Sequence, residues 1–590
     1  MGGIFFVFYN NNKTGKSNFN LSNDFLSGFN KMQNRGSEST YTIETNIDIT
    51  KINKEQLKYQ MSKREIAEYK NYTFLFGKHT LQINDTSLDA SQPFEYPIDH
   101  YKLQYKHLQS IPKKKLLFSG EIYNYRVLKE EFEEYELQSM SDGEVILPMY
   151  HKYGIDKTLE LLDGEYSFIL TDNINGADLK EMNIFVVKDR FGTKPMYMVS
   201  NIVDEVYFFT TEIKCIPSYI LEDSKYTLSE IPNGSYWSYQ ENKCVNYYSL
   251  DEFKQIRDLA PVADPTTMGL VYSNIFEKIT ESVIKKIPEN PFGILLSGGF
   301  NSSLITSVTI KHFIETNRNI NELKLFTIGA SDNTDIKNAK ELITFLEQKY
   351  DVVLEHHILN IDTTHVKEEI LETIDNLIYT LETPDPDTIR DAIPYYYLYK
   401  YIKEHTDINI LISGDGLNEI ANGYSEINKY DDTLFQKKNV ELVQNISQFD
   451  ILRTDNLTSN YNMEIRYPYL DTKFVEYYLN LHPKIKRPQV YNTIKRTKYY
   501  IEKYLVRKAF DTEGEGYLPY DVLWRSIKWS AQCITNLEKT LTEYFDNYVS
   551  DTELKGLLVP KEEHYYMKIY NKYYKIQTKS KWKDIWASTF

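Results

Sequence analysis

Cysteine is scarce in this chain, at 3 in 590 residues. Cys215, Cys244 and Cys533 are scattered and odd in number, so they supply neither a disulfide framework nor the paired spacing of a zinc site. That usage fits a reducing compartment, and a cytoplasmic location is expected. Long apolar runs are missing as well: stretches such as Ile4–Phe8 are far too short to span a bilayer, so no membrane partner is expected. The amino-terminal residues lack the basic start, apolar middle and small-residue cleavage site of a secretory signal. Met1-Gly2 is followed by Phe6 where a myristoylation signal wants Ser or Thr. Positive charge is in deficit, with 68 Lys+Arg against 84 Asp+Glu and a net charge of −16, which argues against a nucleic-acid partner. The clearest basic run, Lys113–Lys115, reads as a solvated turn. No internal repeat and no long low-complexity tract is visible.

What is present suffices for ordinary cores: 41% hydrophobic residues, 14% aromatic, and 50 tyrosines. The length calls for two domains or more. Residues 1–250 read as short strands punctuated by Gly, Asn and Asp, such as "GIFFVFYN", "KLLFSGEIYN", "EYSFILTD" and "EVYFFTTEI", which predicts sheets packed face to face. Two helices interrupt them, at Arg126–Tyr135 and Gly143–Tyr153. A polar linker containing "LAPVADPTT" occupies 251–267. Over 268–590 the rhythm becomes strand, helix, strand: "FGILL", helix Ser302–Phe313, "KLFTIG", helix Ile336–Lys349, "DVVLEHHIL", helices Val366–Thr380 and Tyr395–Glu404, then "INILISG". That alternation predicts a doubly wound parallel sheet, with a mainly helical extension over the last 120 or so residues. His356 and His357 lack partners at metal spacing and read as structural. The Tyr-rich segments read as amphipathic helices.

Ligands of such sheets sit beyond the carboxyl ends of the strands, and two Gly-rich turns fall there, "LLSGGFNSS" and "LISGDGLNE". Ser297, Gly298 and Gly299 offer backbone amides with little side chain in the way of a phosphate. Ser302 and Ser303 add hydroxyls, and the following helix directs its positive end at the anion. The second turn supplies Asp415 and Glu419 to face the first. A nucleotide-type crevice is the expectation.

Further stretches carry a resemblance: "SGEIYN" (119–124), "SDGEVI" (141–146), "KDRFGTKPMY" (188–197), "TEIK" (211–214), "ETPDPDTIRDAIPYY" (382–396), "SGDGLNEIANGY" (413–424), "MEIRYPYLD" (463–471), "IEKYLVRKAF" (501–510) and "LPYDVLWR" (518–525). In this order and spacing the chain resembles glutamine-dependent asparagine synthetases. The resemblance implies an amino-terminal class II glutamine amidotransferase, an αββα sandwich of the Ntn-hydrolase type. It implies a carboxyl half of the ATP-pyrophosphatase type. Such enzymes release ammonia from glutamine in one half. In the other they adenylate the aspartate side chain with Mg-ATP, and ammonia then displaces AMP. By the same resemblance Leu296, Ser297, Gly298, Gly299, Ser302, Ser303, Ile328, Gly329, Ser413, Gly414 and Lys503 would hold ATP or pyrophosphate. Glu382, Thr388, Arg390 and Arg466 would hold the acceptor. Small-molecule partners (ATP, aspartate, ammonia) are implied, and a homodimer is compatible with it.

The chain also departs from that pattern. The amidotransferase nucleophile is an amino-terminal cysteine, and Gly2 stands in its place. Thr80, in Lys78-His79-Thr80-Leu81, replaces the arginine that anchors glutamine. Ser119, beside Gly120, replaces the oxyanion-binding asparagine; losing one such donor typically costs ~10²–10³ in rate. Asp142, the clamp for the glutamine amino group, is kept. Glutaminase activity is therefore expected to be lost. In the synthetase half Asn301 and Asn418 replace the two aspartates that hold Mg²⁺, leaving ATP and Mg²⁺ as cofactors with weakened metal binding. Asp415 replaces a catalytic glutamate. Ile527 takes the usual place of a lysine, with Lys528 one residue on, which on a helix is a turn of about 100°. The expected function is ammonia-dependent ligation. The alternatives are a catalytically inactive member serving as a binding or structural protein, and a β-lactam synthetase-like ligase, which "TIRDAIPYY" and "MEIRYPYLD" demote.

Overall fold

The structure, a computed structural model, describes residues 2–10, 21–36, 39–44, 47–49, 72–81, 83, 85, 87–96, 114–132, 137–172, 182–256, 265–331, 333–361, 369–487, 489–492, 497–512, 516–525, 534, 536–550 and 559–576. The chain forms two compact units. One is Met1–Ser249 with Ser459–Met463 and Asn571–Gln577; the other comprises Leu250–Thr458, Glu464–Tyr570 and Thr578–Phe590.

Two antiparallel sheets make the first unit. One runs Thr227–Glu230, Tyr197–Asn201, Val206–Thr210, Ile4–Asn10, Tyr72–Thr80, Ser39–Glu44, Ile47–Ile49. The other runs Lys243–Asn246, Ser235–Ser238, Asn183–Lys188, Gly164–Asp172, Lys114–Ile122, Phe94–Tyr96. The central strands carry apolar residues on both sides, because each is covered on both faces. In the Ile4–Asn10 strand, Ile4, Phe6 and Phe8 enter the core between the sheets with Phe74, Phe76, Leu117 and Trp237. Phe5 and Val7 point the other way, against Phe25 and Phe29 of the Leu21–Asn30 helix. Leu116, Phe118 and Phe168 meet Ile146, Met149 and Leu159 of the Ile146–Leu161 helix. The result is four layers, helix–sheet–sheet–helix, set by strict two-residue alternation.

The second unit is built on five parallel strands in the order Glu355–Asn360, Leu323–Gly329, Phe292–Leu295, Ile410–Ile412, Glu464–Arg466. Chain order reverses between Phe292–Leu295 and Ile410–Ile412, so the two Gly-rich turns leave adjacent strands at the switch point. Helix Phe300–Glu315 follows the first strand and Thr334–Tyr350 the second. One expected helix is corrected: instead of Tyr395–Glu404 it spans Pro386–His405, starting nine residues earlier and running through Pro394. Asp385 caps it by accepting from Thr388 N–H at 2.8 Å, and Pro386 suits the first turn, where its missing N–H is not needed. The Val366–Thr380 helix is seen as Ile370–Leu381, residues 362–368 lying outside those described. The carboxyl-terminal region is helical at Leu537–Tyr548 and Lys561–Tyr573, but it also contains a hairpin, Gln489–Asn492 with Thr497–Tyr500.

Candidate functional site

In the amino-terminal unit Gly2 and Ser119 are mutual partners. Gly2 N–H donates to Ser119 Oγ (3.3 Å), and Ser119 O–H donates to the Gly2 carbonyl (2.6 Å). Ser119 is on the inner face of its strand, as is Leu117. Lys78 is on the inner face of the opposite sheet, two residues beyond Phe76. A Cβ built on Gly2 would lie 1.8 Å from the His79 carbonyl oxygen and 3.0 Å from Lys78 Nζ. The space a residue-2 side chain needs is occupied by the neighbouring strand.

Lys78 is the residue that sequence inspection missed here, although the alternation Phe74, Phe76, Lys78 already pointed it inward. It is buried, and among the described residues its ammonium nitrogen has no hydrogen-bond partner. Burial, then the Arg35 charge, push its pKa well below the usual lysine value, with Asp142 opposing. Asp142 accepts from Ile122 N–H at 2.7 Å. Arg35, Glu212 and Lys214 form a buried ionic group (2.9 and 3.0 Å). His79 stacks on Phe29 at 3.8 Å and bonds its carbonyl; burial lowers its pKa to about 4. Thr80 is half-buried at the strand end and pairs in register with Ser39. Gly120 follows Ser119 in its strand, in register with Tyr166.

In the second unit the Phe292–Leu295 strand ends at Leu296, whose N–H donates to Phe326 O at 2.8 Å. Ser297 N–H donates to Ser302 Oγ (3.1 Å), and Gly299 N–H donates to Ser297 Oγ (3.2 Å). Gly298 has φ +72, and a Cβ there would meet Asp335 O at 2.1 Å, so only glycine fits. Arg525 holds this turn through Gly298 O (3.0 Å) and Asp335 Oδ1 (2.9 Å). Ser303 Oγ is buried with no partner among the described residues. Ile328 and Gly329 end the adjacent strand, and Gly329 O accepts from Ile361 N–H at 3.0 Å. Lys528 lies outside the described residues.

Across the switch point Ser413 O–H donates to Asp415 at 2.7 Å, and Tyr424 O–H donates to Glu419. Both carboxyls are raised by burial first and Asp450 second, Asp415 to about 6 and Glu419 to about 8. The second oxygen of Glu419 has no partner among the described residues. Sequence inspection missed Asp450, Arg453 and Asp391, which form an ion network there (Arg453 at 2.8 and 3.5 Å); nothing in their local pattern distinguishes them.

Asn301 is the hinge between the two turns. Lys503 Nζ donates to its Oδ1 at 2.7 Å, while its Nδ2 donates to Gly414 O (3.2 Å) and Asn418 Oδ1 (3.4 Å). Burial and Arg507 lower the Lys503 pKa to about 7. These residues do not fit a protein-held divalent cation. Asn301 presents its oxygen to an ammonium, Asn418 presents its oxygen to an amide N–H, and neither carries charge. Among the described residues no group of three His, Cys, Asp or Glu could hold a metal.

The expected acceptor residues have other partners in the structure. Arg390 forks onto Glu562 (3.0 and 2.5 Å) and reaches Glu538 at 3.3 Å. Arg466 donates to Glu464 (2.7 Å) and Lys286 O (3.3 Å). Thr388 bonds the capping Asp385 at 2.7 Å, and Glu382 is a buried left-handed residue ending the Ile370–Leu381 helix. His356 bonds Thr327 Oγ1 (2.7 Å) and His357 bonds Glu355 (2.7 Å), which gives both strand-packing roles.

Comparison with known proteins decides the family. The profile described as "Asparagine synthase" matches residues 275–441 and 435–589, and the profile "Glutamine amidotransferase domain" matches 55–262. The chain belongs to the asparagine synthase family. It is 30% identical over 505 residues to the asparagine synthetase [glutamine-hydrolyzing] of Gallus gallus, covering 80% of this chain and 84% of that one. It is 28% identical over 531 residues to the probable asparagine synthetase of Acanthamoeba polyphaga mimivirus (86% and 88% covered). Identity to the Homo sapiens asparagine synthetase is 28% over 526 residues (85% and 86%). For this asparagine synthase family member, the sandwich and the parallel sheet are thus the amidotransferase-type and synthase-type folds.

Proposed function

We propose that this protein is an ATP-dependent amide-forming ligase that takes free ammonia, with its glutamine-hydrolysing half silent. One observation carries the reading: the carbonyl of His79 fills the space where a nucleophile at residue 2 would stand. Thr80 and Ser119 support it, since neither offers the guanidinium or the amide donor that glutamine hydrolysis uses.

In the carboxyl half the amide of Gly298, the Ser303 hydroxyl and the start of the Phe300–Glu315 helix are suited to a polyphosphate. An aspartate side-chain oxygen attacks the α-phosphorus of ATP and pyrophosphate leaves. Ammonia then attacks the acyl carbon, loses a proton and displaces AMP. Asp415 and Glu419, both raised by burial and by Asp450, are the carboxyls placed to take that proton. Incubation with ATP, aspartate and ammonium should yield asparagine and AMP, and glutamine as sole nitrogen source should yield neither asparagine nor glutamate. A second reading, a non-catalytic member, is favoured by the uncharged Asn301–Asn418 pair; it predicts nucleotide binding with no AMP formed.

A further inference from the structure

The two asparagines at the switch point are more than lost carboxylates, because both polar atoms of Asn301 have chemically matched neighbours. The ammonium of Lys503 only donates, and it faces Asn301 Oδ1 at 2.7 Å. The Gly414 carbonyl only accepts, and it faces Asn301 Nδ2 at 3.2 Å. An amide satisfies both. An aspartate there would set a carboxylate oxygen against the Gly414 carbonyl and against Asn418 Oδ1. Gly414 is held close, since a Cβ on it would lie 3.1 Å from Asn301 Cβ. The chain of contacts Lys503–Asn301–Asn418 therefore joins the first turn to the second with a cation at one end. Lys503 itself is 2% exposed. Among the described residues its ammonium makes one hydrogen bond, which leaves N–H groups for an incoming phosphate.

We propose that Lys503, seated on Asn301, replaces the divalent cation in this crevice, so that the protein binds a polyphosphate with no metal held between the two turns. The proposal rests on the crevice being a nucleotide site, as in the proposed function, and adds how the phosphate charge is met. Two carboxylates in these places would repel an uncomplexed polyphosphate, and a bound cation would be needed to reverse that. Two amides remove the repulsion, and Lys503, whose protonated form is favoured by the arriving phosphate charge, supplies the attraction. Glu419 and Arg507 also face Lys503 with opposite effects, and both are fixed by the fold.

The test is calorimetric titration of the full chain with inorganic pyrophosphate and, separately, with ATP, in EDTA and in excess Mg²⁺. Dissociation constants in the two buffers should agree within about threefold. Asn301→Asp/Asn418→Asp should lose at least about tenfold in EDTA and recover most of it in Mg²⁺. Lys503→Gln should weaken binding in both buffers, with a thermal melt confirming that each variant is folded. Binding by the natural chain that is confined to Mg²⁺ overturns this inference and leaves the ligase reading standing. Metal-free binding without asparagine formation overturns the ligase reading and keeps this one. Absence of binding in both buffers overturns both.

Discussion

A side chain added at Gly2 would place its Cβ 1.8 Å from a backbone oxygen, and a backbone oxygen in a paired strand does not move aside cheaply. Gly2→Cys should therefore destabilise the protein by about 1–3 kcal/mol and should release no glutamate from glutamine. A melting curve and a glutamate assay check the two halves of that expectation. Lys78, a few ångströms away, is the converse case, a buried amine with no hydrogen-bond partner among the described residues. Lys78→Met should raise the melting temperature, because the unfolded chain hydrates the ammonium and the native core does not. The sign with pH follows from linkage. The folded pKa is depressed below the ordinary lysine value of 10.5, so the unfolded state holds more protons, and native stability rises with pH up to that value. The advantage of Lys78→Met should shrink as pH rises towards 10.5, and melts across that range would read it.

Among the elements, the helix Pro386–His405 ties its neighbours together. Arg390 grips Glu562 of the Lys561–Tyr573 helix with a bidentate pair and reaches Glu538 of the Leu537–Tyr548 helix. Glu562 is 5% exposed at its side chain, so Glu562→Ala should strand the guanidinium and cost about 1–3 kcal/mol, with unfolding measured in denaturant. Local pattern made much of the fold legible. The short apolar run in "IFFVFYN" and the strand–turn–helix rhythm at 292–315 both appear as elements. The start of Pro386–His405 was hidden because Pro394 reads as a breaker, while Asp385-Pro386 is in fact a cap followed by a first-turn proline. The hairpin at 489–500 was hidden in a region whose long helices dominate the pattern. In the site, both Gly-rich turns were readable, because phosphate cradles need small residues at fixed places. The Asn301–Lys503 contact was not readable, since it joins residues about 200 positions apart.

For the whole molecule, each compact unit has the architecture of its family half. The sandwich retains its apolar layers around a Gly2 that has no room for a side chain. The parallel sheet has the amides of Asn301 and Asn418 at its switch point. Both units carry the family's profile matches, and the relatives align across most of the chain. Nitrogen is proposed to enter as free ammonia. That route is tested most directly by supplying ATP, aspartate, unlabelled ammonium and glutamine labelled with ¹⁵N at the amide, then analysing asparagine by mass spectrometry. Asparagine without ¹⁵N and glutamine left intact are expected. Labelled asparagine, free labelled ammonia, or no asparagine at all would contradict the proposal.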